Sequence, residues 1–240
     1  MRRSMHNLLV PPLLTSGVLA TWPNGPAGQI LDVLTLILLG SAVLIVGARS
    51  PRRAIALLAA QSAALSGVAV VVAVLSGSRE IYISVALTLA IKGVVLPLVL
   101  LRVSRVAGAR DGAAMYLGPR TATIAALGLV LLAFGLVQPR AVAGTLITGS
   151  YFPTSVALVL VGGLIMVVRK KALIQVIGLI VVENGAYVAA MATTNGLPPV
   201  VELGVAFDLF VTVTLLGSIA FHIGAATETL DTSTLRRLRG

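Results

Sequence analysis

The sequence predicts an all-α integral membrane protein, a bundle of about seven transmembrane helices. Four observations point there. The 240 residues are 58% apolar and only 11% charged, less than half the roughly 25% charged residues of a water-soluble domain. The mean hydropathy is +1.04. Apolar residues gather in continuous runs close to the ~20 residues that cross a ~30 Å hydrocarbon core as helix. Basic residues concentrate in every second connection between those runs. Backbone in lipid must satisfy its own hydrogen bonds, which leaves helices or a closed barrel. The runs lack the alternation of barrel strands, so they are helices.

Residues 1–29 stand apart. Arg2 and Arg3 precede an apolar patch, Leu8–Ala20, interrupted by Pro11 and Pro12. Two prolines disfavour a full span, so this is an N-terminal arm or a weak signal-like segment. Residues 30–120 form a three-helix N-terminal half, with spans expected at Ile30–Ala48, Ala54–Leu75 and Ile81–Leu101. The glycine-containing loop Arg102–Arg120 divides it from a four-helix C-terminal half, residues 121–240. Its spans are expected at Thr121–Val137, Thr154–Val168, Ala172–Thr194 and Val201–Ile223.

The connections after spans one, three and five and the C-terminal tail hold most of the basic residues, among them Arg49, Arg52, Arg53, Arg102, Arg105, Arg120, Arg169, Lys170, Lys171 and Arg236. The opposite connections hold only Arg79 and Arg140. The positive-inside rule makes the first set cytoplasmic. The chain is then a multi-pass protein of the cell inner (plasma) membrane with its C-terminus in the cytoplasm. The net charge of +10 marks topology rather than a nucleic-acid footprint.

Cysteine is absent, and the two histidines, His6 and His222, lie at opposite ends of the chain. Disulfides, thiolate-held zinc and iron–sulfur clusters are excluded, and no metal or other cofactor is expected. No nucleophile–base pair or phosphate-binding glycine loop occurs, so catalysis by this chain alone is not expected.

The informative residues are the ionisable ones inside spans, which cost about 2.5–3.5 kcal/mol each at mid-helix. Lys92 and Glu183 each lie roughly 16 Å into their helices, and Asp208 lies roughly 10 Å from the outer face. With one cation and two carboxylates, Lys92 can pair with either, leaving the other acid without a charge partner; the pairing itself stays open. A carboxylate poised between protonated and paired states suits a proton or ion relay. The bland alternative is a polar cluster that locks helix packing. Asn184, Glu202 and His222 are supporting positions. Asp32 lies at the outer end of its span and reads as solvated. Pro97 cannot donate to the carbonyl of Gly93, so span three should kink beside Lys92. Gly163, Gly178 and Gly185 do not form a four-residue repeat and carry no packing expectation.

The segment VRKKALIQVIGLIVVENGAY at 168–187 resembles the second helix of the K subunit of respiratory complex I and of the C subunit of multisubunit Na⁺/H⁺ antiporters. Arg169–Lys171, Ile177–Leu179 and Asn184 match. The family's glutamate would fall at Ile180, so Glu183 is displaced by nearly one turn, about 4.5 Å along the axis. The ending LDTSTLRRLRG at 230–240 resembles the K-subunit tail. The last three helices are thus the K-subunit-like part. Over most of the chain the sequence is similar to hydrogenase-4 component E, a membrane subunit of formate hydrogenlyase and other group 4 nickel–iron hydrogenases. LTLAIKGVVLPLVLLR at 87–102, ENGAYVAAM at 183–191 and GLPPVVELGVAFD at 196–208 carry that resemblance.

The resemblance implies a non-redox membrane subunit of a complex I-like, hydrogenase-type oxidoreductase assembly. Its partners would be antiporter-like and complex I H-subunit-like membrane subunits together with soluble hydrogenase-like redox subunits. Glu183 would stand in for the first K-subunit glutamate, and Asp208, or less directly Glu202, for the second. The ion is H⁺ or Na⁺. A self-contained secondary transporter and a purely structural membrane adaptor are the alternatives.

Overall fold

The computed structural model describes residues 25–76, 85–86, 89–106, 115–137 and 149–194, together with 210 and 214. The described chain is helical. It comprises α1 (Pro26–Gly47), α2 (Pro51–Ser76), a π-helical segment (Leu89–Val95) running into α3 (Leu96–Val106), α4 (Pro119–Leu136), a short 3-10 turn (Gly149–Tyr151), α5 (Phe152–Val168) and α6 (Ala172–Thr194). Extended backbone pairs only at an isolated bridge between Met115 and Arg169 among the described residues.

Four of these helices are long and apolar enough to cross a membrane: Pro26–Gly47, Pro51–Val74, Pro119–Leu136 and Ala172–Thr193. Phe152–Val168 is a shorter apolar helix. The protein is an all-α integral membrane protein. The expected seventh span, Val201–Ile223, lies outside the described residues except for 210 and 214, and residues 1–24, Arg79, Glu80 and the C-terminal tail lie outside them as well. Span six has the bounds expected from sequence. Span three continues to Val106 rather than ending at Leu101.

Proline placement accounts for where the helices begin. Pro26, Pro119 and Pro153 occupy the first turns of α1, α4 and α5, and α2 begins at Pro51. A first-turn proline loses no helical hydrogen bond, and its fixed φ suits the helix.

The helices α1, α2, α6 and α5 pack in a ring: α1 on α2, α2 on α6, α6 on α5, and α5 back on α1. The π segment and α3 lean on α2 and α6, while α4 leans on α5 and α1. The core between them is aliphatic, with Leu31, Leu38, Ile45, Leu58, Leu65, Leu158, Ile165 and Ile177 buried. The α4 helix buries only Ala122, Ala126 and Ala133 and turns Ile124, Leu131 and Leu136 outward. A helix apolar on all faces and buried on one is what lipid solvation permits.

The α5–α6 pair is the closest. A Cβ at Gly162 would lie 2.7 Å from the Val182 amide nitrogen, one at Gly178 would lie 2.9 Å from the Gly162 carbonyl, and one at Gly185 would lie 2.9 Å from the Ser155 carbonyl. The two backbones therefore touch where only glycine fits. The packing residue on α5 is Gly162, whereas Gly163 faces open space. The sequence spacing carries no packing expectation for these glycines, and the contact is seen only in the packed pair. Gly178 and Gly185 share a face at a seven-residue interval, and the third glycine belongs to the facing helix.

Candidate functional site

The site begins with an irregular helix. Pro97 has no N–H to offer the Gly93 carbonyl, and the chain answers with the π-helical segment Leu89–Val95, after which α3 restarts at Leu96 with Pro97 in its first turn. The expected kink takes this form. A π turn widens the helix and re-aims its side chains, and such turns recur at functional sites. Lys92 sits within it, and only 1% of its side chain is exposed.

Lys92 Nζ donates to Glu183 Oε1 at 2.6 Å and to Asn184 Oδ1 at 3.1 Å. Both partners lie about midway along the 23-residue α6. Asn184 Nδ2 then donates to Gln61 Oε1 at 3.0 Å, and Gln61 Nε2 donates to the Leu38 carbonyl at 3.1 Å. Ser41 Oγ donates to the same carbonyl at 2.9 Å. One continuous polar chain thus runs from Glu183 through Lys92, Asn184 and Gln61 to the backbone of α1. It joins the π segment, α6, α2 and α1 through the middle of an aliphatic core.

Elementary electrostatics explains the company Lys92 keeps. Removing an ammonium from water costs several kcal/mol even after relaxation. A carboxylate and an amide oxygen within hydrogen-bond reach offset that cost. The amides serve the same need: the oxygen and nitrogen of both Asn184 and Gln61 meet partners, as a low-dielectric core favours. Chemically, the arrangement puts two groups able to exchange a proton in direct contact.

Of the residues singled out in the sequence, the structure brings together Lys92, Glu183 and Asn184. Asp208, Glu202 and His222 lie outside the described residues. Gln61 was not among the expected residues. Its signal is a primary amide inside a 26-residue apolar helix, a placement that needs a polar partner. No cluster of potential metal ligands occurs among the described residues.

Two further polar contacts sit at the ends of the bundle. At one end the Arg169 guanidinium, 1% exposed, donates through Nη2 to the carbonyls of Ile45, Val46 and Ala48 at 3.2, 2.5 and 2.7 Å. These are carbonyls at the C-terminal end of α1, whose last turn has no basic residue of its own. A cation there satisfies orphan acceptors and the negative end of the helix dipole. Burial lowers the Arg169 pKa from its ordinary value. Arg169 is thus a buried helix cap. At the opposite end Tyr151 donates its hydroxyl to Asp32 Oδ1 at 2.8 Å. Burial first, and then the hydrogen bond and charge of Asp32, push the Tyr151 phenol well above its ordinary range. Asp32, read from sequence as merely solvated, is a hydrogen-bond acceptor.

A polytopic helical protein with an ion pair and an amide chain sealed inside it belongs to the class of membrane components with a buried charged layer. The chain belongs to the same family as an uncharacterized protein of Mycobacterium tuberculosis, with which it is 30% identical over 200 residues, 83% of this chain and 91% of that protein. It is also distantly homologous to hydrogenase-4 component E of Escherichia coli and of Shigella flexneri, at 26% identity over 214 residues, 88% of this chain and 98% of each relative. No family model matches the chain, and no solved structure matches it.

Proposed function

We propose that the chain is a membrane subunit of a hydrogenase-like, energy-converting complex, and that Lys92 and Glu183 carry protons (or Na⁺) through it, with Asp208 as the next group along. The observation that carries this reading is the Lys92–Glu183 ion pair, buried midway along α6 on a π-helical turn. Intramembrane ionisable residues are costly and mark ion pathways and proton relays. The similarity to hydrogenase-4 component E supplies the setting. The K-subunit-like pattern around Arg169–Lys171, Ile177–Leu179 and Asn184 supports the same role for Glu183. Redox chemistry would reside on soluble hydrogenase-like partners, with antiporter-like and H-subunit-like proteins alongside in the membrane. The basic end of the bundle, with Arg49, Arg53, Arg169 and Lys170, would face the cytoplasm by the positive-inside rule.

A purely structural role has one observation in its favour: the hydrogen-bond chain ties together four helical elements and would lock their packing. Glu183→Gln separates the readings, because the amide still accepts a hydrogen bond from Lys92 but carries no transferable proton. The relay reading expects partner subunits to co-purify as before, while redox-linked pH change in sealed vesicles falls at least ~10-fold, the loss typical of a removed proton-transfer group. Normal proton movement with Glu183→Gln overturns the relay. A chain that purifies alone, without redox partners, overturns the assembly.

A further inference from the structure

The basic end of the bundle holds a second polar feature, away from the Lys92 layer. A cavity of about 410 Å³ lies between α1, α2 and α4. Its walls are of two kinds. Arg49, Arg53 and Thr123 supply polar groups, and Val43, Leu44 and Leu57 supply an aliphatic surface. The α1 and α4 helices meet closely at its floor, where a Cβ on Gly47 would lie 2.8 Å from Thr123 Oγ1. The Thr123 hydroxyl is engaged by the Pro119 carbonyl, so the open donors in the cavity are the two guanidiniums. Both arginines are exposed, and neither forms an ion pair among the described residues.

An apolar track leads away from this cavity. Val33, Ile37, Gly40 and Leu44 recur at intervals of four, three and four residues and therefore share one face of α1. Val33, Ile37 and Leu44 are 56%, 42% and 59% exposed, and nothing lies within 4 Å of where a Cβ on Gly40 would be. The face is thus an outward apolar stripe with a notch. From Val33 to Leu44 it runs roughly 16 Å, about half of a ~30 Å hydrocarbon core, which is the depth of one leaflet.

We propose that this cavity and stripe bind an anionic phospholipid, with its phosphate on Arg49 and Arg53 and one acyl chain along Val33, Ile37, Gly40 and Leu44. Guanidinium forks match phosphate oxygens geometrically and remain charged at all relevant pH. No carboxylate lines the cavity among the described residues, and two cations so placed favour a headgroup that lacks its own ammonium. The vertical order, cations at the helix ends and then one leaflet depth of aliphatic surface, matches a phospholipid better than a protein segment. Basic pockets between helices at the membrane surface are known lipid-headgroup sites.

The test uses the full chain, delipidated in mild detergent and then given one of three probes: phosphatidylglycerol, phosphatidylcholine or inorganic phosphate. Phosphatidylglycerol is expected to raise the heat-unfolding midpoint by at least ~3 °C, through preferential binding to the folded state. Phosphatidylcholine and inorganic phosphate should each give less than half that shift. The double variant R49Q/R53Q should lose the shift. Arg52→Gln, which removes a neighbouring exposed charge that does not line the cavity, should keep it. Gly40→Leu fills the notch without touching charge and should weaken it, which keeps the proposal testable if R49Q/R53Q does not fold. Equal shifts from both lipids overturn the headgroup assignment. A full shift from inorganic phosphate points to a free-anion site and overturns the lipid. Photo-crosslinking from position 44 in the native membrane should capture lipid, and capture of a protein subunit instead overturns the proposal.

Discussion

Lys92 and Glu183 are 91 positions apart in sequence, yet their charged atoms meet at 2.6 Å inside the bundle. The lysine is the more deeply buried of the two, at 1% exposed against 11% for the glutamate. Removing one partner leaves the other charge buried without its opposite. Lys92→Met should therefore destabilise the protein by about 3–5 kcal/mol. The double variant Lys92→Met/Glu183→Leu should recover much of that loss, since an apolar pair can replace a buried ion pair at little cost. Heat unfolding of the three purified chains checks both statements. A double variant as unstable as the single one would show that the layer needs polarity as such.

The amide relay beyond Lys92 should behave as a unit. Asn184→Leu strands Gln61 Oε1, and Gln61→Leu strands Asn184 Nδ2, while the Leu38 carbonyl keeps Ser41 Oγ as a donor. Each should cost about 1–3 kcal/mol. The double variant should cost clearly less than the sum, because the second substitution removes a group already stranded. Additive losses in denaturant-induced unfolding would mean that the two amides are energetically separate.

The α5–α6 contact makes a paired prediction from adjacent residues. Gly162→Ala drives a methyl group into the Val182 backbone and should destabilise by about 1–3 kcal/mol. Gly163→Ala meets open space and should be neutral or stabilise by up to ~1 kcal/mol through helix propensity. Comparable effects at both sites would contradict the packing described.

Tyr151 carries a pH signature. Its phenol is held in the neutral form above the ordinary value of 10.0 by burial and by Asp32. The folded state therefore holds this proton more tightly than the unfolded chain does. The associated stability is fully present below about pH 10 and is lost as the pH rises toward the folded-state pKa. Ultraviolet difference titration against Tyr151→Phe should show the Tyr151 phenol resisting ionisation at a pH where a free phenol is half ionised. Asp32→Asn should bring that titration downward.

Much of this architecture was legible in the residues. Apolar runs located the helices, but placed their starts at Ile30, Ala54, Thr121 and Thr154, two to four residues inside the observed starts at Pro26, Pro51, Pro119 and Phe152, because hydropathy ignores the polar or proline-led first turn. Lys92 and Glu183 were visible as charges at similar depth, because ionisable groups within such runs are costly. Their lateral contact was not, since hydropathy orders residues along a membrane normal but says nothing about which helices are neighbours. Gln61 escaped for a related reason: a single amide in an apolar run shows its meaning only beside Asn184. Arg169 read as one more basic residue in a connection, and only tertiary packing reveals that it is sealed against the end of α1. The glycine contact was missed because a one-helix spacing rule cannot detect a motif divided between α5 and α6.

The Arg169 contact also has a consequence for biosynthesis. The carbonyls it serves at Ile45, Val46 and Ala48 leave the ribosome 121 or more residues before it does. At a synthesis rate of about 5–20 residues per second, α1 waits roughly 6–24 s for its cap. Through that interval the end of the first long helix must borrow water or lipid headgroups as hydrogen-bond donors. Nascent chains halted before position 169 should therefore present an unfinished α1 terminus, open to proteolysis or chaperone capture, which closes only when the α5–α6 hairpin arrives.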